Sequence, residues 1–220
     1  MIIARTVWGA NPRSLPRAAM VLPAKRVYVH HSVTDPTDDP YKDMRTVETI
    51  GLQRFGQFSY SYAIHPNGDI LEGCGLQRGA HTGGQNSNSF GVVHIGNYEI
   101  RNPTKAQLEA NQWLILSLIE RGVLLPNYEL FGHRDKEASN LCPGKNLYAM
   151  LPLIRQPWEI PVAGNPDLHD IEGPLSFHPI VDSNGFCTGY YIFGTKTGEV
   201  HAYGDPEKVK FYGRSEDPTP

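Results

Sequence analysis

The sequence predicts an α/β layer fold followed by a small all-β module. Three observations carry this. Strand-like and helix-like signals alternate from Val7 to about Trp158, the pattern of a sheet layered with helices. The stretch 156–174 holds four prolines and no hydrophobic period, as a linker does. Beyond it, 179–214 is rich in Gly and Tyr and shows no helical pattern. The resulting layout is a domain over 1–158, a Pro-rich linker over 159–175 and a β-rich module over 176–220.

The elements follow in chain order. RVYVHHSV (26–33) is β-rich and ends in polar residues, so it reads as a strand. Met44, Val47 and Ile50 recur at helical spacing, with Asp43 as the expected N-cap and Gly51 as an interruption or an end. Residues 60–73 form a hairpin signal around Asn67-Gly68. The apolar run 89–98 suits a buried strand. Thr104 and Gln107 make a capping box that opens a helix to about Arg121, and Gly122 stops it. Residues 128–133 give another short strand, and 147–154 a last short helix. In the C-terminal module, turns are expected at Thr195–Gly198 and at Gly204-Asp205. A single strand pair of this size is marginal alone, so it must dock, add a third strand or oligomerise.

Composition narrows the function classes. Twenty Lys+Arg against 23 Asp+Glu give a net charge of −3, which argues against a nucleic-acid binder held by phosphate contacts. No run of 18 apolar residues exists, so no membrane insertion is expected. The first residues lack the apolar core of a secretory signal, so synthesis in the cytoplasm without a signal peptide is expected. The cysteines Cys74, Cys142 and Cys187 are odd in number and cannot form a complete disulfide framework. Core packing or metal ligation remain for them.

Three pieces carry candidate chemistry: His30-His31 at one strand end, Gly132-His133-Arg134-Asp135 at another, and Cys142 nine positions after His133. Strand ends are where α/β folds build sites. Two imidazoles and a thiolate suit zinc, and three protein ligands leave a fourth position for water or substrate. Each residue also has an ordinary role, as a solvated histidine or a small buried thiol. Spacing alone does not choose between these roles. Nor does strand alternation choose between His30, on a face with Tyr28, and His31, on a face with Val29.

The sequence resembles the type 2 N-acetylmuramoyl-L-alanine amidases and peptidoglycan recognition proteins, including phage amidase endolysins, over about residues 5 to 155. The markers stand in the family's order: Arg5-Thr-Val-Trp8-Gly-Ala10, Val29-His30-His31-Ser32, Tyr60 and the Asn67-Gly68-Asp69 turn, Gly79-Ala-His81-Thr-Gly-Gly84, Asn86-Ser-Asn-Ser-Phe-Gly91, and Gly132-His-Arg-Asp135 with Cys142-Pro-Gly144. The resemblance implies a central mixed β-sheet flanked by helices. It implies one zinc ion held by His30, His133 and Cys142, a catalytic Tyr60, and a substrate groove lined by His81 with Asn88 nearby. It implies bacterial peptidoglycan as partner and hydrolysis of the amide between N-acetylmuramic acid and L-alanine at the cell wall. Non-enzymatic relatives typically lack the thiolate ligand, which is present here.

The chain departs from the pattern in places. The gap from His133 to Cys142 is one residue longer than usual. Where the family often has Lys or Thr assisting at the oxyanion, this chain has Asn140 two residues before the thiol, or Ser139 counted forward from His133. Both can donate a hydrogen bond, and neither carries the charge of Lys. Glu137 lies in the same loop, as either a proton shuttle or a solvated charge. Cys74 stands where the family often has Arg, and His94 reads as a core-edge histidine. The pieces Gly189-Tyr-Tyr191, Thr197-Gly198, Tyr203-Gly-Asp205 and Phe211-Tyr-Gly213 resemble a repeat of actinobacterial surface proteins. Together these features point to a phage or prophage lysin for such a host. A recognition protein or a virion structural protein on the same fold are the alternatives.

Overall fold

The computed structural model describes residues 1–155 and, beyond them, the backbone of three strands. The chain divides into two compact units, Met1–Gln156 and Pro157–Pro220.

In the first unit, β1 (Ile2–Ile3) leads into the short helix α1 (Arg5–Trp8) and, past a 3₁₀ turn, into β2 (Ala24–His31). Helix α2 (Pro40–Phe55) follows, then the hairpin of β3 (Tyr62–Ile64) and β4 (Ile70–Glu72), and β5 (Ser89–His94). Helix α3 (Lys105–Glu120) connects to β6 (Leu124–Gly132), and α4 (Lys145–Ala149) and α5 (Leu151–Ile154) close the unit. The six strands form one sheet in the order β1-β4-β3-β5-β2-β6. All neighbours are parallel except the β3–β4 hairpin, so the sheet is mixed, as expected.

Each face of the sheet has its own core. On one face Val27, Val29, Phe90 and Val92 pack with Leu114, Ile115 and Leu118 of α3 and with Leu151 and Ile154 of α5. On the other, Ala63, Leu71 and Val93 pack with Met44 and Val47 of α2, with Trp8 and with Phe58. Side chains alternate along β2, so Arg26, Tyr28 and His30 leave the first core and face the second side. There Arg26, Tyr28, Gln85, Glu129 and Phe131 line an open cleft of about 290 Å³ over β2 and β6.

Several expected elements form as read. The capping box is complete: Thr104 Oγ1 accepts from Gln107 N and Gln107 Oε1 accepts from Thr104 N. Gly122 adopts φ +66 just beyond the end of α3. Other boundaries differ. The N-cap of α2 is Asp39, whose carboxylate accepts from Tyr41 N and Lys42 N, because Pro40 presets the first helical turn. Asp43 lies inside that turn, buried, and accepts from Thr37 N and Oγ1. Gly51 does not end the helix. It allows close approach, since a Cβ there would sit 2.8 Å from the Gln57 carbonyl.

Strand β6 begins four residues earlier than the sequence suggests. Its pairing with β2 jumps from Ala24–Leu124 to Arg26–Glu129, a bulge that accommodates Pro126 on an edge strand. The last helix is two, α4 and α5, divided at Met150 where Pro152 enters the second.

In the second unit β7 (Leu175–Val181), β8 (Cys187–Gly194) and β9 (Val200–Gly204) form an antiparallel meander. The third strand that a two-stranded pair needs comes from this segment itself. The linker reading and the Gly204-Asp205 turn fall outside the described residues. Among the described residues no helix is long and apolar enough to cross a membrane.

Candidate metal centre

Strand direction builds the centre. β2 and β6 run parallel with Val29 opposite Gly132, so the residues that follow, His30 and His133, arrive side by side. Their ring centroids are 4.8 Å apart. From His133 the chain turns through a 3₁₀ segment and returns, with Arg134 N donating to the Cys142 carbonyl at 2.8 Å. The Arg134 guanidinium also donates to the Leu141 carbonyl and lies 4.7 Å over the Tyr148 ring. This closure folds the loop between His133 and Cys142 back on itself. It brings Cys142 Sγ to 3.5 Å from His30 Nδ1, and the donor atoms of His30, His133 and Cys142 all lie within 4.8 Å of one another.

These donors fit a metal ion. Zinc–nitrogen and zinc–sulfur bonds of about 2.0–2.3 Å in tetrahedral geometry set donors ~3.4–3.8 Å apart. The Nδ1–Sγ pair already has that spacing. Burial, reinforced by His81 and His133, holds His30 well below the usual imidazole range. Burial also lowers His133, against the pull of Glu137. Both rings are therefore neutral at pH 7 with a lone pair to offer. Burial pushes the Cys142 thiol up to about 12, while the His31 amide, 3.4 Å from Sγ, and Arg134 act to lower it. A bound cation would supply the compensating charge that makes it a thiolate.

The other candidates fall into place around this cluster. Tyr60 sets its ring 5.1 Å from His30, and surrounding protein and the Cys142 sulfur both raise its hydroxyl pKa. His81 lies edge-on to His30 at 5.4 Å and is buried. Gly91 leaves no room for a Cβ beside the His81 ring, and Gly79 lies against its Cδ2. Asn140 is turned towards the ligands. Its Oδ1 accepts from Cys142 N at 2.9 Å and its Nδ2 lies 3.3 Å from His133 Nδ1. Glu137 Oε2 stands 3.6 Å from His133 Nε2. Asn88 precedes β5, with its carbonyl accepting from Lys25 N, at the far end of β2 from His30. His31 points to the opposite face and accepts from Tyr98 N.

Two expectations sharpen. Cys74 is buried, its Sγ 2.8 Å from the Tyr60 carbonyl, so it steadies the backbone that carries Tyr60. His94 is deep in the core rather than at its edge, hydrogen-bonded to Asn111. Thr82 is a site neighbour that sequence reasoning misses. Its hydroxyl lies 3.3 Å from His30 Nε2, but a threonine in a glycine-rich loop carries no mark that separates this role from ordinary capping.

The model of the family described as N-acetylmuramoyl-L-alanine amidase matches residues 20–145, a span that holds all three donors. The chain belongs to that family. Among its relatives, peptidoglycan-recognition protein SD of Drosophila simulans is 32% identical over 156 residues, 68% of this chain and 83% of the relative. Human N-acetylmuramoyl-L-alanine amidase is 36% identical over 157 residues, 67% of this chain and 27% of that longer protein. The ectodomain complex of peptidoglycan recognition proteins LCa and LCx, solved with tracheal cytotoxin bound, matches with a TM-score of 0.65 at 30% identity. That match covers 69% of this chain and 94% of the other. The amidase fold and the mixed sheet flanked by helices are thus shared with solved members of the family.

Proposed function

We propose that this protein is a zinc-dependent amidase that hydrolyses the bond between N-acetylmuramic acid and the L-alanine of the peptidoglycan stem. The observation that carries the proposal is the convergence of His30, His133 and Cys142 beside an open cleft. A zinc ion held there supplies a Lewis acid that activates water near neutral pH and polarises the amide carbonyl. The chain's own residues do the rest. Tyr28 and Phe131, whose rings stack on each other at 5.5 Å, give the cleft an apolar side against which a sugar or peptide can pack. The Arg26–Glu129 ion pair at 2.8 Å gives its wall both signs of charge. Tyr60, beside His30, donates a hydrogen bond from its phenol to an oxygen at the reacting carbonyl in this reading, and its raised pKa keeps the proton on the phenol. Asn140 acts as a support for Cys142 and His133, since its amide is committed to both.

The broader role we propose is that of a phage lysin acting at the bacterial cell wall. The repeat-like C-terminal segment supports it as a wall anchor. Peptidoglycan recognition without cleavage is the second reading, favoured by the engagement of Asn140 with the ligands in place of a free oxyanion donor.

Mass spectrometry of digested peptidoglycan tests the proposal. The expected product is a stem peptide with a newly free N-terminal alanine, together with stoichiometric zinc in the purified protein. His30→Ala, His133→Ala and Cys142→Ala should each abolish release, as should chelation. Wall binding with no peptide released would establish recognition alone.

A further inference from the structure

The Thr82 side chain, in a residue 1% exposed, lies between two histidines. Its Oγ1 is 3.3 Å from Nε2 of His30 and 3.1 Å from Nδ1 of His81. A hydroxyl has a single proton to give and lone pairs to accept with. Cys142 Sγ faces His30 on the Nδ1 side, which is therefore the nitrogen turned to the metal cluster. In the metal-free chain the Cys142 thiol has a proton to give to that Nδ1, and a bound metal would take the same lone pair, so in either state the ring proton of His30 resides on Nε2 and points at Thr82 Oγ1. Thr82 accepts it and has its own proton left for Nδ1 of His81. His81 then keeps its proton on Nε2.

We propose that Thr82 is a positioning residue that fixes the tautomers of His30 and His81 together and holds the Nδ1 lone pair of His30 towards the metal. The proposal rests on the zinc-amidase reading for the identity of the ion, while the hydrogen-bond chain belongs to the metal-free protein. The surroundings leave the chain little freedom. Asn86 Oδ1 accepts from the backbone N–H of both His81 and Thr82, at 3.0 and 2.8 Å, and so clamps the loop. Gly91 admits the His81 ring where a Cβ would overlap its Cγ. His81 Nε2 is buried and makes no well-aligned hydrogen bond, although the Ser89 backbone lies close enough to favour a proton on the ring. No group on that side competes for the Nδ1 interaction with Thr82. Outer partners of this kind raise ligand basicity and fix ring orientation, and their loss typically weakens metal binding about 10–100-fold.

The test has two arms on the full chain. Long-range proton–nitrogen NMR of the metal-free protein at neutral pH reads the tautomers directly. Both His30 and His81 should be protonated on Nε2. Finding the His30 proton on Nδ1 in the wild-type protein would overturn the proposal whether or not any variant folds. Zinc affinity, measured by competition with a chromophoric chelator, forms the second arm. Thr82→Val removes the hydroxyl at nearly constant shape and should weaken zinc binding about 10–100-fold. Thr82→Ser retains the hydroxyl and should restore the wild-type affinity. Equal zinc affinity in the wild type and a folded Thr82→Val would also overturn it. A wild-type chain that binds no zinc would instead sink the amidase reading, and the NMR arm would still decide the hydrogen-bond chain.

Discussion

At the scale of single residues, the centre depends on which atom each side chain presents. Tyr60 packs its ring against His30 and stands outside the trio of His30, His133 and Cys142. Tyr60→Phe should therefore leave zinc content unchanged and lower turnover by about 10²-fold, the effect of removing one donor to a developing oxyanion. Parallel measurements of zinc content and peptide release check this. A loss of zinc in that variant would move Tyr60 from catalysis to metal binding. The same scale shows why the His30-His31 choice was closed to the sequence. Alternation puts the two on opposite faces, but which face holds the site is set by a neighbouring strand a hundred residues away and by Cys142. Asn140 is a similar case. Its residue type allows either a donor to substrate or a brace for the loop, and its contacts with Cys142 N and His133 are visible only in the folded chain.

At the scale of elements, signals that are local in the chain were legible and signals that need a distant partner were not. The capping box of α3, the Asn67-Gly68 hairpin and the buried run of β5 are each specified within a few residues. The early start of β6 is not, because Leu124 becomes a strand residue by pairing with Ala24 across a bulge. The role of Gly91 is equally non-local. It lies mid-strand in β5, where glycine ordinarily weakens a strand, and its missing Cβ makes room for the His81 ring. Gly91→Ala should destabilise the protein by about 1–3 kcal/mol through overpacking. It should also shift the His81 ring resonances. Thermal melts and NMR spectra test both parts. An unperturbed His81 would show that the strand can yield instead.

For the whole molecule, the fold class was readable because layered α/β architecture follows from alternating signals, whereas the division of labour between the two faces was not. Burying imidazoles has a global consequence. His94, 0% exposed, is lowered by burial to about 3. The unfolded chain takes up a proton near the ordinary imidazole value of 6.5 and the folded one does not, so the stability held above pH 6.5 is lost progressively as pH falls towards 3. From pH 7 to pH 5 this single group accounts for ~2 kcal/mol. His31 and His81, lowered to about 4 and about 3, act in the same direction. Urea titrations at the two pH values should show a steep acid loss in the wild type and a shallower one in His94→Gln. Identical pH slopes would remove His94 as a source of acid lability.

The bulge in β6 bears on how such a chain tolerates change. Three surplus residues are spooled out between Leu124 and Glu129 before β2 and β6 fall back into step, and only the stretch after that point aims His133. Slack taken in or let out on the α3 side of the bulge leaves the business end of the strand undisturbed. The α3–β6 connection is thus a natural seam, where segments could be lengthened, trimmed or spliced without retuning the imidazole pair at the opposite tip.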